Sequence, residues 1–183
     1  PYFKRSEGSL NRQDQYHGNH GPLKVEPARN FGKLDKAFIK AALQSGHNFL
    51  EDFNGPVRTG VSRVDSTVHK GIRQSSALAY LKKIPKNLHI FTNTHISRIL
   101  FEQTRAVGIE STKGDKFFAD QEVIICQGAF GTPQLLMLSG IGPSDHLLSH
   151  GIKPIMDLQG VGQNLADHID VSIQYGSRSM DLS

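Results

Sequence analysis

The residues that could do chemistry here are few: two pairs of histidines, one cysteine, several glycine turns, and one strand–glycine–helix stretch. That stretch is 121–142, QEVIICQGAFGTPQLLMLSGIG. Residues 123–126 form a short apolar run that reads as a buried strand, and Gly128 ends it. Thr132 and Pro133 open a helix, because Thr is a good N-cap and Pro is tolerated at the first helical position. Residues 134–138 are apolar on most sides and predict a buried helix, which Ser139 to Gly142 then stop. A strand, a glycine turn and a helix together form the half of an α/β unit that places main-chain N–H groups beside a ligand.

The other candidates are weaker. His17 and His20 are close enough to share a metal, but no suitably placed third ligand accompanies them, which favours loop histidines in solvent. His146 and His150 lie four apart and read as one exposed helix face. Cys126 ends the apolar run and reads as an inert core thiol, and as the sole cysteine it excludes an internal disulfide. Gly160 and Gly162 are followed by Leu165 where a dinucleotide fingerprint needs its third glycine. Gly140 and Gly142 have Asp145 there, and no Gly-x-Ser-x-Gly nucleophile elbow is present. By its residues alone the chain shows a ligand-facing α/β fragment without a catalytic constellation.

The elements that must position these residues follow in order. Residues 1–30 read as loops, with a short strand at 23–25. Leu34, Ala37, Phe38, Ala41 and Ala42 predict an amphipathic helix over 33–45 with Gly46 as its cap. Residues 50–62, LEDFNGPVRTGVS, read as a turn-rich connection. One strand is expected within 64–72, then a helix over 77–83 capped by Ser75 or Ser76. Residues 88–92, 95–101, 105–110, 116–119 and 123–126 read as successive short strands, and their close spacing predicts antiparallel hairpins. A helix over 144–150 with Ser144 as N-cap, a glycine loop at 159–165 and a strand over 169–175 complete the chain.

The 183 residues suit one domain or parts of two, and 37% hydrophobic with 21% charged residues fits an ordinary soluble globular protein. The net charge of +4 is spread without a dense block, so no nucleic-acid partner is expected. No apolar stretch reaches the ~18–20 residues of a membrane span. The first residue is Pro1, not Met, so the lack of a leader says nothing about compartment.

GAFGTPQLLMLSGIG resembles the second signature of the glucose–methanol–choline (GMC) family of flavin oxidoreductases, with Thr132, Pro133, Leu135, Leu136, Ser139, Gly140, Ile141 and Gly142 in its defined places. Further phrases resemble the family in the same order. They are PYFKRSE at 1–7, YHGNHGPLKV at 16–25, DFNG at 52–55, HKGIRQSSALAYL at 69–81, NLHIFTNTHISRILFEQTRAVGIE at 87–110 and GVGQNLADH at 160–168. The details are most similar to choline dehydrogenases and to acceptor-dependent alcohol dehydrogenases.

The resemblance implies an α/β (α+β) architecture: part of an FAD-binding domain of the glutathione-reductase type with a β-meander, interleaved with part of a substrate-binding domain. It assigns 1–68 to the substrate domain, 69–164 to the FAD domain and 165–183 to a further substrate-domain segment. It implies FAD as cofactor, with Ile96 at the adenine and Cys126, Gln127 and Gly128 on the element passing the adenosine and pyrophosphate. A small residue at Gly128 would let the backbone approach a phosphate. The implied reaction is oxidation of an alcohol, choline or an aliphatic one, by hydride transfer to flavin, followed by electron transfer to an acceptor. Membrane association and compartment stay open. No catalytic residue falls on this chain, since the family's base and its partner belong downstream and its Gly-x-Gly-x-x-Gly unit upstream. The chain therefore reads as an internal piece that by itself neither holds FAD nor catalyses. The alternative reading is a truncated, non-catalytic relative or a binding module on the same scaffold.

Overall fold

The computed structural model describes residues 1–28, 31–172 and 174. They form two units, Pro1–His89 and Ile90–Gln174.

The first unit is built from short elements. Helix α1 (Tyr2–Ser6) leads into strand β1 (Glu7–Ser9), which pairs in parallel with β2 (Leu23–Pro27). Helix α2 (Lys33–Gln44) matches the expected amphipathic helix, and the Gly32 N–H donates to Asp35 Oδ2 at 2.8 Å at its start. Its apolar stripe is not covered among the described residues: Phe38 is 69% exposed and Leu34 54%. Strand β3 (Asp65–Ser66) pairs antiparallel with β2, and β4 (Val68–His69) forms a hairpin with β5 (Ile72–Arg73). The single strand expected within 64–72 is thus divided. Lys70 and Gly71 both take left-handed backbone, a two-residue turn that reverses the chain. Helix α3 (Ser76–Tyr80) is capped as expected, Ser75 Oγ accepting the Leu78 N–H at 3.2 Å, though it ends before residue 83.

The second unit is a meander with helices. Strands β6 (Ile96–Glu102), β7 (Arg105–Ser111) and β8 (Lys116–Phe118) form an antiparallel sheet in that order, as the close spacing predicted. Helix α4 (Gly128–Leu138) packs on β6. Strand β9 (Ile141–Gly142) follows, then helix α5 (Ser144–Ser149), and β10 (Met156–Asp157) returns parallel to β9. Ile99, Leu135 and Leu147 are the buried apolar side chains of this unit. Among the described residues no helix is long and apolar enough to cross a membrane.

Several expectations fail for identifiable reasons. Residues 123–126 form no ladder, and Ile124 is 74% exposed. An extended run becomes a strand only when a neighbour takes its N–H and C=O groups, and neither sheet edge, β6 or β8, pairs with this one. Cys126 is therefore exposed, not a core thiol. Helix α4 opens at Gly128, well before Thr132, and carries Pro133 inside it. The proline removes the main-chain bond to Ala129 without setting the start. The helix is apolar all round, yet only Leu135 is buried and Phe130 is 77% exposed. Residues 88–92 form no strand: the Phe91 ring packs on Phe117 at 5.0 Å, and left-handed Asn93 breaks the extended run.

The expected loop at the start of the chain contains α1 and β1. Pro143, not Ser144, holds the N-cap position of α5, and the Ser144 N–H donates to Asp157 Oδ1 at 2.9 Å. Residues 169–172 show no strand, and Ile173 and Tyr175 of that expected strand lie outside the described residues.

Helix α4 is fastened to the sheet by one buried side chain. Ser139 Oγ accepts the Ile99 N–H at 2.8 Å and donates to the Leu135 carbonyl at 2.6 Å. Removing that oxygen leaves a buried amide without a partner, which costs about 1–3 kcal/mol. Ser139→Ala in the full-length protein is expected to lower the thermal unfolding midpoint. Ser144→Ala, which removes no side-chain cap bond, should change stability by less than about 0.5 kcal/mol in the same assay.

Candidate functional site

The residues proposed for the cofactor all fall in the second unit. Cys126, Gln127 and Gly128 sit together where the chain enters α4, and all three are exposed. Gly128 has φ +77°, a left-handed conformation that a side chain would strain. A Cβ there would meet nothing within 4 Å, so the backbone stands clear of its surroundings. Gln127, the N-cap residue, makes no side-chain cap hydrogen bond, and the first turn carries no acidic residue. The first-turn amides of a helix have no intrahelical acceptor, and the helix dipole adds partial positive charge. This end of α4 is uncapped and approachable, which fits an anionic group.

Ile96 opens β6 opposite Ser111, and the register shifts between it and Arg98. The neighbouring His95 carbonyl accepts the Thr112 N–H at 2.9 Å. Ile96 also lines an apolar hollow of about 360 Å³ with Phe91, Thr94, Ile109 and Phe117. A hollow of this volume with aromatic walls suits a flat ring system. Helix α4 lies on β6 through its other end, at Ser139 and Ile99, so both candidate segments belong to one packed body.

The first unit holds a polar cluster that the sequence reading missed. His17, expected in solvent, is only 3% exposed. Its Nδ1 lies 2.9 Å from Glu7 Oε1 and its Nε2 lies 2.8 Å from Asp52 Oδ2. The Gly18 N–H donates to Glu7 Oε2 at 3.1 Å. A Cβ on Gly18 would sit 1.9 Å from the Lys4 carbonyl oxygen, so only glycine permits this approach of the loop to α1. Asp14 Oδ1 accepts the Tyr16 and His17 amides at 2.7 and 2.9 Å, and Asp52 Oδ1 accepts the Asn54 amide at 2.8 Å.

Burial pushes the His17 pKa down, but the hydrogen bonds that Glu7 and Asp52 accept from the ring outweigh it, and the net direction is up. For Asp52 burial pushes up, while the Asn54 amide, His17 and Arg12 together hold it below the usual carboxylate range. The Tyr16 amide leads in holding Asp14 low. The sole local signal for this cluster is Asp14 three residues before His17; Glu7 and Asp52 lie too far along the chain to be paired by eye.

His20, the other half of the expected solvent pair, lies in the loop before β2 and is exposed. His146 on α5 and His150 at its C-cap are both exposed, with rings 4.6 Å apart and tilted by 49°, on one helix face. Among the described residues no group of three or more His, Cys, Asp or Glu could hold a metal ion.

Comparison with known proteins adds to this geometry. The chain is 43% identical over 179 residues to human mitochondrial choline dehydrogenase, covering 95% of this chain and 30% of that protein. It is 42% identical over 178 residues to the oxygen-dependent choline dehydrogenase of Brucella ovis, covering 95% of this chain and 32% of that protein. The chain thus spans about a third of the length of these curated relatives. Its fold superposes on an FAD-dependent oxidoreductase from Chaetomium thermophilum with a TM-score of 0.82 at 28% identity, over 90% of this chain and 32% of that one. The cofactor that goes with this fold is FAD. The profile described as GMC oxidoreductase matches residues 1–170, and the chain belongs to that family.

Proposed function

We propose that this chain is the part of an FAD-dependent oxidoreductase that holds the adenosine half of the cofactor, in a protein that oxidises a small alcohol. The observation that carries this reading is the start of α4, where left-handed Gly128 has open space around it and no side chain caps the first-turn amides.

Bound FAD would supply the hydride acceptor for a CH–OH donor. The first-turn amides of α4 after Gln127 would hold the pyrophosphate, and the exposed backbone at Cys126 and Gln127 would run beside the adenosine. Ile96 would contact the adenine by its backbone, with the Phe91 and Phe117 rings excluding water from the hollow below it. No base is assigned to this chain: the residues argued here bind and orient. Residues 1–68 and 165–183 are read as substrate-domain portions and 69–164 as the flavin-domain portion.

Choline and short aliphatic alcohols are the substrates this reading favours, because of the likeness to the human and Brucella choline dehydrogenases. The acceptor is either oxygen or a carrier.

In the full-length protein, Gly128→Val is expected to lower the FAD-to-protein ratio after desalting at least severalfold. The strain of a β-branched residue in left-handed backbone adds about 1–2 kcal/mol to the loss of access. An unchanged ratio would remove Gly128 from the site. Anaerobic addition of choline or an alcohol to the purified protein is expected to bleach the visible flavin absorption, and readmitting oxygen or adding a quinone identifies the acceptor. Retained FAD that no alcohol reduces would favour the non-catalytic relative.

A further inference from the structure

His17 has no role in the flavin reading, yet among the described residues of the first unit it is the most buried side chain. Both ring nitrogens face carboxylate oxygens at hydrogen-bonding distance. A neutral imidazole has one N–H, so it can satisfy one of these carboxylates and must turn a lone pair toward the other. The imidazolium donates to both. Glu7 Oε2 also accepts the Gly18 N–H and Asp52 Oδ1 also accepts the Asn54 N–H, as ionised carboxylates do, so the ring is the group left to carry the proton.

The three partners come from three separate stretches: Glu7 from β1, His17 from the loop before β2, and Asp52 from a turn inside the loop that the Phe49–Val61 bridge closes. The two loops have little regular structure of their own. Other charged groups around the cluster do not replace the ring. Arg12 pairs with Asp65 and donates to the Glu51 carbonyl at 2.6 Å. Lys4 from α1 donates to the Asp14 carbonyl at 2.7 Å, and Lys24 from β2 lies at the Gly21 carbonyl at 3.3 Å. Asp14 is occupied by the Tyr16 and His17 amides. The same loops wall a hollow of about 540 Å³ bounded in part by Arg12, Asp14, Phe49, Asp52 and Val57.

We propose that a single proton on His17 is a clasp that fastens the 10–21 loop and the 47–57 loop to β1, and that its loss on going to alkaline pH releases both loops and reshapes the hollow between them. The sign follows from the direction of the shift. A group whose pKa is raised in the closed form stabilises that form fully below its free value of about 6.5. The contribution is lost as pH rises through the closed-form pKa. The lowered Asp52 gives the opposite limit: its contribution is present above about pH 4 and lost as pH falls through its own closed-form pKa. The clasp is therefore shut across a window around neutrality. This inference does not depend on the flavin assignment, since neither Glu7, His17 nor Asp52 is placed at the cofactor.

Hydrogen exchange read by mass spectrometry on the full-length protein tests it, with each rate divided by the intrinsic rate at that pH. Protection of 10–21 and 47–57 should fall by up to about tenfold per pH unit above about pH 6.5 and level off once His17 has lost its proton. His17→Gln should hold both loops at low protection with no fall over roughly pH 6 to 9. Glu7→Gln, which keeps the ring and one carboxylate, should move the fall to lower pH. Wild-type protection that is flat with pH, or a fall that persists in His17→Gln, would overturn the clasp. So would a midpoint unmoved by Glu7→Gln, which decides the matter even if His17→Gln does not fold.

Discussion

Ser139 Oγ joins the Ile99 amide of β6 to the Leu135 carbonyl of α4, and the placement of the helix on the sheet depends on it. The largely apolar α4 has little else with which to make a directional contact to β6. Ile99, Leu135 and Leu147 add buried area, but apolar contact is non-directional and would tolerate sliding. A hydroxyl shared between a strand amide and a helix carbonyl fixes register as well as distance. Once the C-terminal end of α4 is pinned there, the direction of its axis carries the N-terminal end, and Gly128 with it, to a fixed place.

The first unit follows the same rule with charged groups. Its strands are too short to take up most main-chain amides, so Asp14, Glu7 and Asp52 take several of them instead. Carboxylates gathered this way repel one another unless a cation lies among them, and the His17 ring is that cation. Burying an ionic group stabilises only when its partners are complete. Here both ring nitrogens, the Glu7 carboxylate and the Asp52 carboxylate are engaged. The arrangement is specific because every member is used, and it is sensitive to pH for the same reason.

The two units differ in chemistry. The second offers neutral main-chain donors at an exposed helix start and an apolar hollow beside a sheet strand. The first offers titratable side chains around loops that wall a cavity. Apolar side chains such as Phe38, Phe130 and Ile124 stay exposed in the described residues, in a chain that spans about a third of its curated relatives.

The residues by themselves determined the local features. The meander of β6 to β8 was legible from alternation and tight turns, α2 from its apolar period, the Ser75 cap from residue type, and the family from a run of phrases in order. These depend on neighbours within a few positions, where propensity and spacing decide. Tertiary structure decided the rest. Residues 123–126 carry every mark of a strand, yet pairing needs a second chain segment, and the described residues supply none. Thr132 and Pro133 look like a helix start, but the left-handed turn at Gly128 opens the helix earlier. Cys126 follows its segment to the surface. His17 looked like a loop residue in solvent because nothing in its own sequence window reveals Glu7 on one side and Asp52 on the other. Burial and charge pairing across tens of residues are properties of the folded chain, and they turned an apparently idle histidine into a buried one held between two carboxylates.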